Sequence, residues 1–328
     1  MMRQRLLGAL VVLVAAVVAP AGVALADAAG PTDYETTITS ITPEVPGVDV
    51  SIVGGDSFLR VVVEPGIDVV VLGYQQEPYL RIRADGVVEE NQRSPATYLN
   101  ADRYGTGTPP AGADPTLAPN WLPIGSGGTW SWHDHRAHWM SPDPPADAAP
   151  GEEIQTSTVP LVVDGTEVTV SVATTWLPAP SRAPLAVGAS AGLAVVLLAL
   201  ARRVRLGWAL LAVSLAAAGV GFLQYRSLPA ETEPLLVWWL LPAVAAGSLV
   251  IALALGRRLV AYALVLLAAL ELAAWVWLRR DGAFRAIIPT DAPFWLDRGV
   301  LAATGVAAAV VAVGAALAMF RLPVADHD

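Results

Sequence analysis

An exported all-β domain followed by an all-α transmembrane bundle of five helices is the fold class this sequence predicts, and three observations carry it. The chain is 55% apolar over 328 residues, and its mean hydropathy of +0.53 is too high for a soluble protein of average composition. Its apolar residues gather at the start and after about Pro184, with a polar block between. Inside that block they recur with period two, which marks strands with one buried face. Beyond Pro184 they form continuous runs, each long enough to cross roughly 30 Å of hydrocarbon at about 1.5 Å per residue.

The opening MMRQRLLGALVVLVAAVVAPAGVALADA places Arg3 and Arg5 ahead of an apolar run that ends in Ala24-Leu25-Ala26. A basic start, an apolar core and small residues at the −3 and −1 positions read as a secretory signal over residues 1–26, cleaved after Ala26. An uncleaved first span is the alternative, and it exports the next segment equally. Residues 27–182 are thus the extracytoplasmic domain and residues 183–328 the membrane domain.

In the extracytoplasmic segment, YETTITSITP, VDVSIVGG, SFLRVVVEPG and DVVVLGYQQEPYLRI are short runs rich in Val, Ile and Thr, punctuated by Gly54-Gly55 and Pro65-Gly66. They predict antiparallel strands. VPLVVDGTEVTVSVATTWLP adds a hairpin turning at Asp164-Gly165, with Val168, Val170 and Val172 on one face. Six or more short strands in this length suggest a β-sandwich of immunoglobulin-like character, which by itself implies no function. The Pro-rich stretches 105–120 and 141–150 are long loops.

The segment carries 21 acidic residues against seven arginines, a formal −14. That argues against nucleic acid or an extended anionic lipid surface as the partner of this domain. The chain has no cysteine, so disulfides and thiolate metal sites are excluded as well.

Spans are expected at about 184–201, 206–223, 235–255, 259–278 and 300–320. With the β-domain outside, Arg202-Arg203-Val204-Arg205 and Arg257-Arg258 fall inside, as the positive-inside rule asks, and the C-terminus is cytoplasmic. The loop 279–299 breaks the rule with Arg279, Arg280, Arg285 and Arg298, and Phe294 and Trp295 suggest a stretch lying flat at the outer interface. Gly188, Gly192, Gly219 and Gly221 suit close helix packing. Glu271 is the one acid inside a predicted span. It reads either as an ion or proton carrier, or as an acid near the outer end of its helix that pairs with Arg279 or Arg280.

Between the Pro-rich loops lies WSWHDHRAHWM (130–140), which holds three of the four histidines. On a strand His133 and His135 share a face with Ser131, while Trp130, Trp132, Asp134 and Arg136 share the other. His138 joins the pair only if the chain bends near Ala137. Two readings stand. In one, His133, His135 and His138 with the Met140 thioether form a metal site, and copper is the ion this donor set fits best. In the other, Asp134 and Arg136 form a buried ion pair among tryptophans, and the histidines are hydrogen-bond donors that hold the loops down. A Ser131-His133-Asp134 triad is disfavoured, because on a strand Asp134 faces away from His133, and no G-x-S-x-G turn is present. Glu77 with its flanking phenols Tyr74 and Tyr79, in GYQQEPYLRI, and Asp134 and Arg136 in the histidine window are candidates to support a ligand set or contact a partner, although Glu77 ahead of Pro78 also fits a turn cap.

Together GYQQEPYLRI (73–82), NQRSPATYLN (91–100) and WHDHRAHWMS (132–141) resemble a family of uncharacterised envelope membrane proteins from high-GC Gram-positive bacteria. That resemblance implies a signal peptide, an exported β-domain and C-terminal spans, and assigns no catalytic residue. The expectation is therefore a multi-pass cell-membrane protein in contact with the bilayer and other envelope proteins. It is expected to be non-enzymatic, and to bind a partner or a metal at the HDHRAH segment. The rival expectation is a part of a small-solute or metal-ion transport system with Glu271 in the path.

Overall fold

The computed structural model describes residues 29–321 except Asp102, Pro142, Arg203, Arg257 and Arg258. The signal-like segment 1–26 and the C-terminal tail lie outside the described residues.

The valine-rich runs become ten strands in two antiparallel sheets. One has the order β1 (Tyr34–Thr42), β10 (Thr166–Trp176), β9 (Glu153–Val163), β4 (Val69–Leu72), β5 (Pro78–Ile82), β6 (Val88–Asn91), β7 (Trp121–Gly125); the other is β2 (Val48–Val53), β3 (Phe58–Val63), β8 (Thr129–Trp132). The two-layer design is the expected one. Its division into seven strands and three differs from the four and three of a constant-type immunoglobulin domain. The run DVVVLGYQQEPYLRI splits into β4 and β5, because Gly73 to Glu77 make a turn in which Gly73 N donates to Glu77 O at 2.7 Å. At the β9–β10 hairpin Asp164 and Gly165 both adopt positive φ, 47° and 81°, the conformation that matches the twist of the flanking strands.

Alternation decides which side chains meet. Leu59, Val61 and Val63 of β3 and Trp132 of β8 face Val69, Val71, Leu80, Ile82, Leu161 and Val170 of the large sheet in one buried core. The opposite face of the small sheet carries Phe58 and Arg60, and it turns toward the membrane domain. A five-residue helix, α1 (Pro95–Leu99), is capped by Ser94.

Five helices follow: α2 (Ala183–Ala201), α3 (Leu206–Ser227), α4 (Val237–Leu255), α5 (Leu259–Arg279) and α6 (Phe294–Arg321). All five are long and apolar enough to cross a membrane, so the chain is a β-sheet domain followed by a multi-pass membrane domain. Three of the four singled-out glycines allow close approach. A Cβ on Gly188 or Gly192 would collide with the α6 backbone at Gly299 or Ala303, and one on Gly221 with Trp238 O, whereas Gly219 faces open space. Pro242 in α4 has no N–H for the carbonyl four residues back, that of Trp238. The Trp275 indole of α5 takes its place, donating to Trp238 O at 2.6 Å. A buried carbonyl left unsatisfied costs about 1–3 kcal/mol, and this bond removes that cost.

The last helix begins at Phe294, six residues before the expected start, and includes Phe294 and Trp295 in its first turn. Asp297 in that turn suits the positive end of the helix dipole. The flat interfacial stretch expected there does not form. Its preceding residues bind the β-domain instead: Thr32 and Ile287 form a β-bridge, Arg285 pairs with Asp33 at 2.6 Å, and Ala286 N donates to Asp33 Oδ1 at 2.8 Å. Phe58 packs with Ala29, Leu228 and Trp238 in a small apolar cluster that seats β3 on the ends of α3 and α4.

This junction also accounts for the four arginines that break the charge rule. Arg279 pairs with Asp297 at 2.5 Å and binds Gln224. Arg298 donates to the carbonyls of Gly282, Arg285 and Ala286. Arg285 holds Asp33, and Arg280 stacks over Trp277. Their positions follow from packing and hydrogen bonding at the β-domain end of the bundle.

Candidate functional site

β8 ends at Trp132, one residue before the first histidine. His133 and Asp134 are irregular, and Ala137 N then closes a turn on Asp134 O at 2.8 Å. The strand alternation expected for His133 and His135 therefore stops short of them. Turn geometry, and not strand pleat, directs the histidines, and it brings His138 in with the others.

The ion pair forms as the packing reading requires. Arg136 meets Asp134 through two donors, Nε and Nη2, each at 2.8 Å, and Trp132 Nε1 donates to the same carboxylate at 3.0 Å. Burial works against the Asp134 charge, yet the guanidinium and the indole hold its carboxyl below the usual carboxylate range. Arg136 also reaches Leu72 O at the end of β4 and stacks over Tyr74. Around this pair the backbone is fastened on all sides: Thr36 Oγ1 donates to Ala137 O at 2.7 Å, Gln155 Nε2 to Arg136 O at 3.1 Å, and His135 N to the Tyr74 hydroxyl at 3.1 Å. The segment is a latch between β1, β4, β9 and the 73–77 turn.

Two histidines extend the latch to other loops. His133 Nδ1 lies 2.6 Å from Ser57 O and His138 Nε2 lies 2.5 Å from Arg103 O. A carbonyl only accepts, so each of these nitrogens carries the proton. His138 is fully buried; burial, reinforced by the Arg103 charge, pushes its pKa down to about 3. Its ring is neutral at physiological pH, which leaves Nδ1 as the lone-pair nitrogen, and Nδ1 is buried without a hydrogen-bond partner.

The three rings do come together. His138 stands edge-on to His133 at 5.9 Å and to His135 at 5.3 Å between centroids. His135 stacks on Tyr74 at 6.0 Å. Gly105 brings the far loop in: with φ +61°, a Cβ there would lie 2.7 Å from His135 Cε1 and 3.2 Å from Met140 Cε. The histidine and the thioether thus converge on one glycine, and Met140 at 37% and Tyr104 at 48% exposure open this edge to solvent. Among the described residues no group of three His, Asp or Glu side chains is arranged to hold a metal ion.

Glu77 and Tyr79 serve other ends. The Glu77 carboxylate accepts from Gln75 N at 2.8 Å and Ser94 Oγ at 2.6 Å, so it ties the 73–77 turn to the cap of α1. The Tyr79 ring is buried, and burial raises its phenol well above the usual range. The phenol that reaches the histidines is Tyr74, which also binds Asn100. Sequence reasoning places Tyr74 only as a phenol beside Glu77, and it missed Ser57, Arg103 and Gly105. The last three act through backbone atoms or through having no side chain, which residue type does not announce.

Glu271 faces the interior of the bundle at 3% exposure, on the α5 stripe that includes Ala268, Leu272, Trp275 and Arg279. The expected pairing with Arg279 or Arg280 is not made, because Arg279 is held by Asp297 and Gln224 two turns away. Glu271 Oε2 has no hydrogen-bond partner, and neither has Thr304 Oγ1 on α6.

The chain matches no protein-family model, and neither a curated protein nor a solved structure matches it.

Proposed function

We propose that the chain is a non-enzymatic, membrane-anchored envelope protein whose extracytoplasmic β-domain takes its ligand at the open edge of the HDHRAH latch. Copper is the ligand this edge fits best. The observation that carries the reading is the His138 Nδ1 lone pair, buried and unpartnered beside His135, with Met140 converging on the same glycine. Metal-bound histidines commonly donate their second nitrogen to a backbone carbonyl, which fixes tautomer and ring orientation; His133 and His138 both do so. Two imidazoles and a thioether form a soft donor set that favours reduced copper over zinc. Asp134 and Arg136 belong to the frame that holds the edge, and Glu77 and Tyr79 stand outside it.

The test is a competition titration of the purified full-length chain with Cu(I) and with Zn(II). The expected result is a saturable Cu(I) site that Met140→Leu weakens at least tenfold while Zn(II) binding changes little. Equal Cu(I) affinity in the wild type and in a His135→Ala/Met140→Leu variant would sink the reading.

A second reading is favoured by Glu271. An unpartnered acid on an interior helix face is a functional candidate in a membrane protein, and it supports a solute or ion path through the bundle. In that case Glu271→Gln abolishes metal accumulation or tolerance in cells, while Cu(I) binding by the β-domain persists.

A further inference from the structure

A second opening lies at the junction of the two domains. It is a cleft of about 590 Å³ between the outward face of the small sheet and the ends of α3 and α6, lined among others by Arg60, Arg226, Ser227, Asp291 and Phe294. Its chemistry follows from strand register. Arg60 of β3 is flanked by its direct partners Ser51 on β2 and Ser131 on β8, and directly opposed residues of an antiparallel pair point to the same face. That face therefore carries a Ser–Arg–Ser row.

Two members of the row have an unsatisfied buried atom. Arg60 Nε is buried with no hydrogen-bond partner, and so is Ser131 Oγ. A guanidinium stays charged under all physiological conditions, so a desolvated N–H with no acceptor costs free energy that a bound acceptor would recover. Arg226, in the last turn of α3, brings a second guanidinium to the cleft. Neither arginine is in an ion pair among the described residues. Glu35 and Asp291 also line the cleft, but both are exposed, where water screens their charge.

Depth identifies the setting. α3 ends at Ser227 and α6 begins at Phe294, so the floor of the cleft is the level at which the spans leave the hydrocarbon and meet the headgroups. Two guanidinium groups in the lining of one cleft match the oxygens of a phosphate, which arginine binds through two parallel hydrogen bonds. We propose that this cleft binds a phosphate group, with Arg60 as the principal contact and Arg226 as the second cation. The source of that phosphate is either a phospholipid headgroup or a soluble phosphate compound. This site is separate from the histidine edge and does not depend on it.

The test uses the purified full-length chain in a neutral detergent, titrated with dioctanoyl phosphatidylglycerol, dioctanoylglycerol and inorganic phosphate, with bound ligand read by native mass spectrometry. The expected result is saturable binding of phosphatidylglycerol and none of dioctanoylglycerol. Arg60→Gln should weaken binding about tenfold or more, the loss of one charge-assisted bond, and Arg226→Gln by less. Arg280→Gln removes an exposed charge at the same end of the bundle outside the cleft lining, and should leave affinity unchanged. Binding of inorganic phosphate that competes with the lipid supports a soluble source, and binding of the lipid alone supports a headgroup. If the wild type binds neither probe, or binds dioctanoylglycerol as well as its phosphate ester, the proposal is overturned. Equal affinity in Arg60→Gln overturns it too. Should Arg60→Gln fail to fold, the wild-type titration and Arg226→Gln decide.

Discussion

The β-domain and the helical bundle differ in how they hold buried acids. In the β-domain Asp134 meets Arg136 within the latch turn, while Asp56 meets Arg103 and Glu77 meets Ser94 across separate segments. In the bundle the Arg279–Asp297–Gln224 group at the β-domain end is satisfied, while two turns deeper Glu271 and Thr304 keep buried oxygens without partners. A charge that closes a loop is held by what it closes. An acid on a helix face closes nothing, because the helix already satisfies its own backbone. Buried acids in the two regions therefore carry different information, and substitutions should separate them.

The largest effect is expected at the latch. Asp134→Ala leaves Arg136 buried without its partner and removes the acceptor of the Trp132 indole. Breaking a buried pair on one side costs about 3–5 kcal/mol, so thermal unfolding of the full-length chain, followed by tryptophan fluorescence, should show the β-domain transition lowered sharply. Replacing both partners with apolar residues, Asp134→Leu with Arg136→Met, should recover a good part of that loss. A double variant as unstable as the single would mean that the backbone bonds of the latch, not the charges, set its cost.

Phe58→Ala tests whether the domains act as one body. Phe58 is 3% exposed against Leu228, Trp238 and His133, and removing a buried ring of this kind costs about 3–5 kcal/mol. Because the ring lies between the domains, part of that loss should appear as uncoupling. Helical and sheet signals in circular dichroism are expected to melt together in the wild type and apart in the variant. Coincident melting in both would show that the Thr32–Ile287 bridge and the Asp33–Arg285 pair suffice to hold the domains together.

The latch should also respond to acid. Burial holds His138 at about 3 in the folded chain, against roughly 6.5 when unfolded. The unfolded state then binds more protons at any pH between those values, and stability falls as pH falls. Its contribution is complete above about pH 6.5 and declines below, by roughly 2 kcal/mol at pH 5 at about 1.4 kcal/mol per unit. Urea unfolding between pH 7.5 and 5 in the presence of chelator measures it. His138→Gln should flatten the slope, and an unchanged slope would assign the acid sensitivity to another group.

Much of this architecture is legible in sequence because the two regions have incompatible periods. The alternation of Val168, Val170 and Val172 cannot serve a helix, and the run from Leu259 to Leu278 cannot serve a half-buried strand. The Asp134–Arg136 pair was open to reading from its i, i+2 spacing, although a turn produces it and not the expected strand. The convergence of the histidines was not legible. It depends on Trp132 ending β8, on a turn back to Asp134 O, and on Gly105 arriving from a loop some thirty residues earlier in the chain. The domain junction was hidden for a related reason. Asp33 and Arg285 are 252 residues apart, and Thr32 and Ile287 carry no type-specific signal for a bridge.

The smallest effect is expected at Glu271, and it bears most directly on the contrast between the regions. If the rule drawn from the β-domain held in the bundle, removing this acid would be costly, since a buried carboxylate there is always a tie. Glu271 has no such tie: Oε2 is unpartnered, and the arginine two turns away is occupied. Glu271→Gln keeps the shape and removes the acid, so melting of the purified protein should change by less than about 1 kcal/mol, the range of substitutions that break no network. Asp297→Asn, which breaks the Arg279 pair at the β-domain end, should cost several times more. A Glu271→Gln variant as unstable as Asp297→Asn would show that the acid is structural, and the second functional reading would lose its basis. A stable variant would mean that folding does not explain why an acid is kept in the bundle interior, which leaves function to explain it.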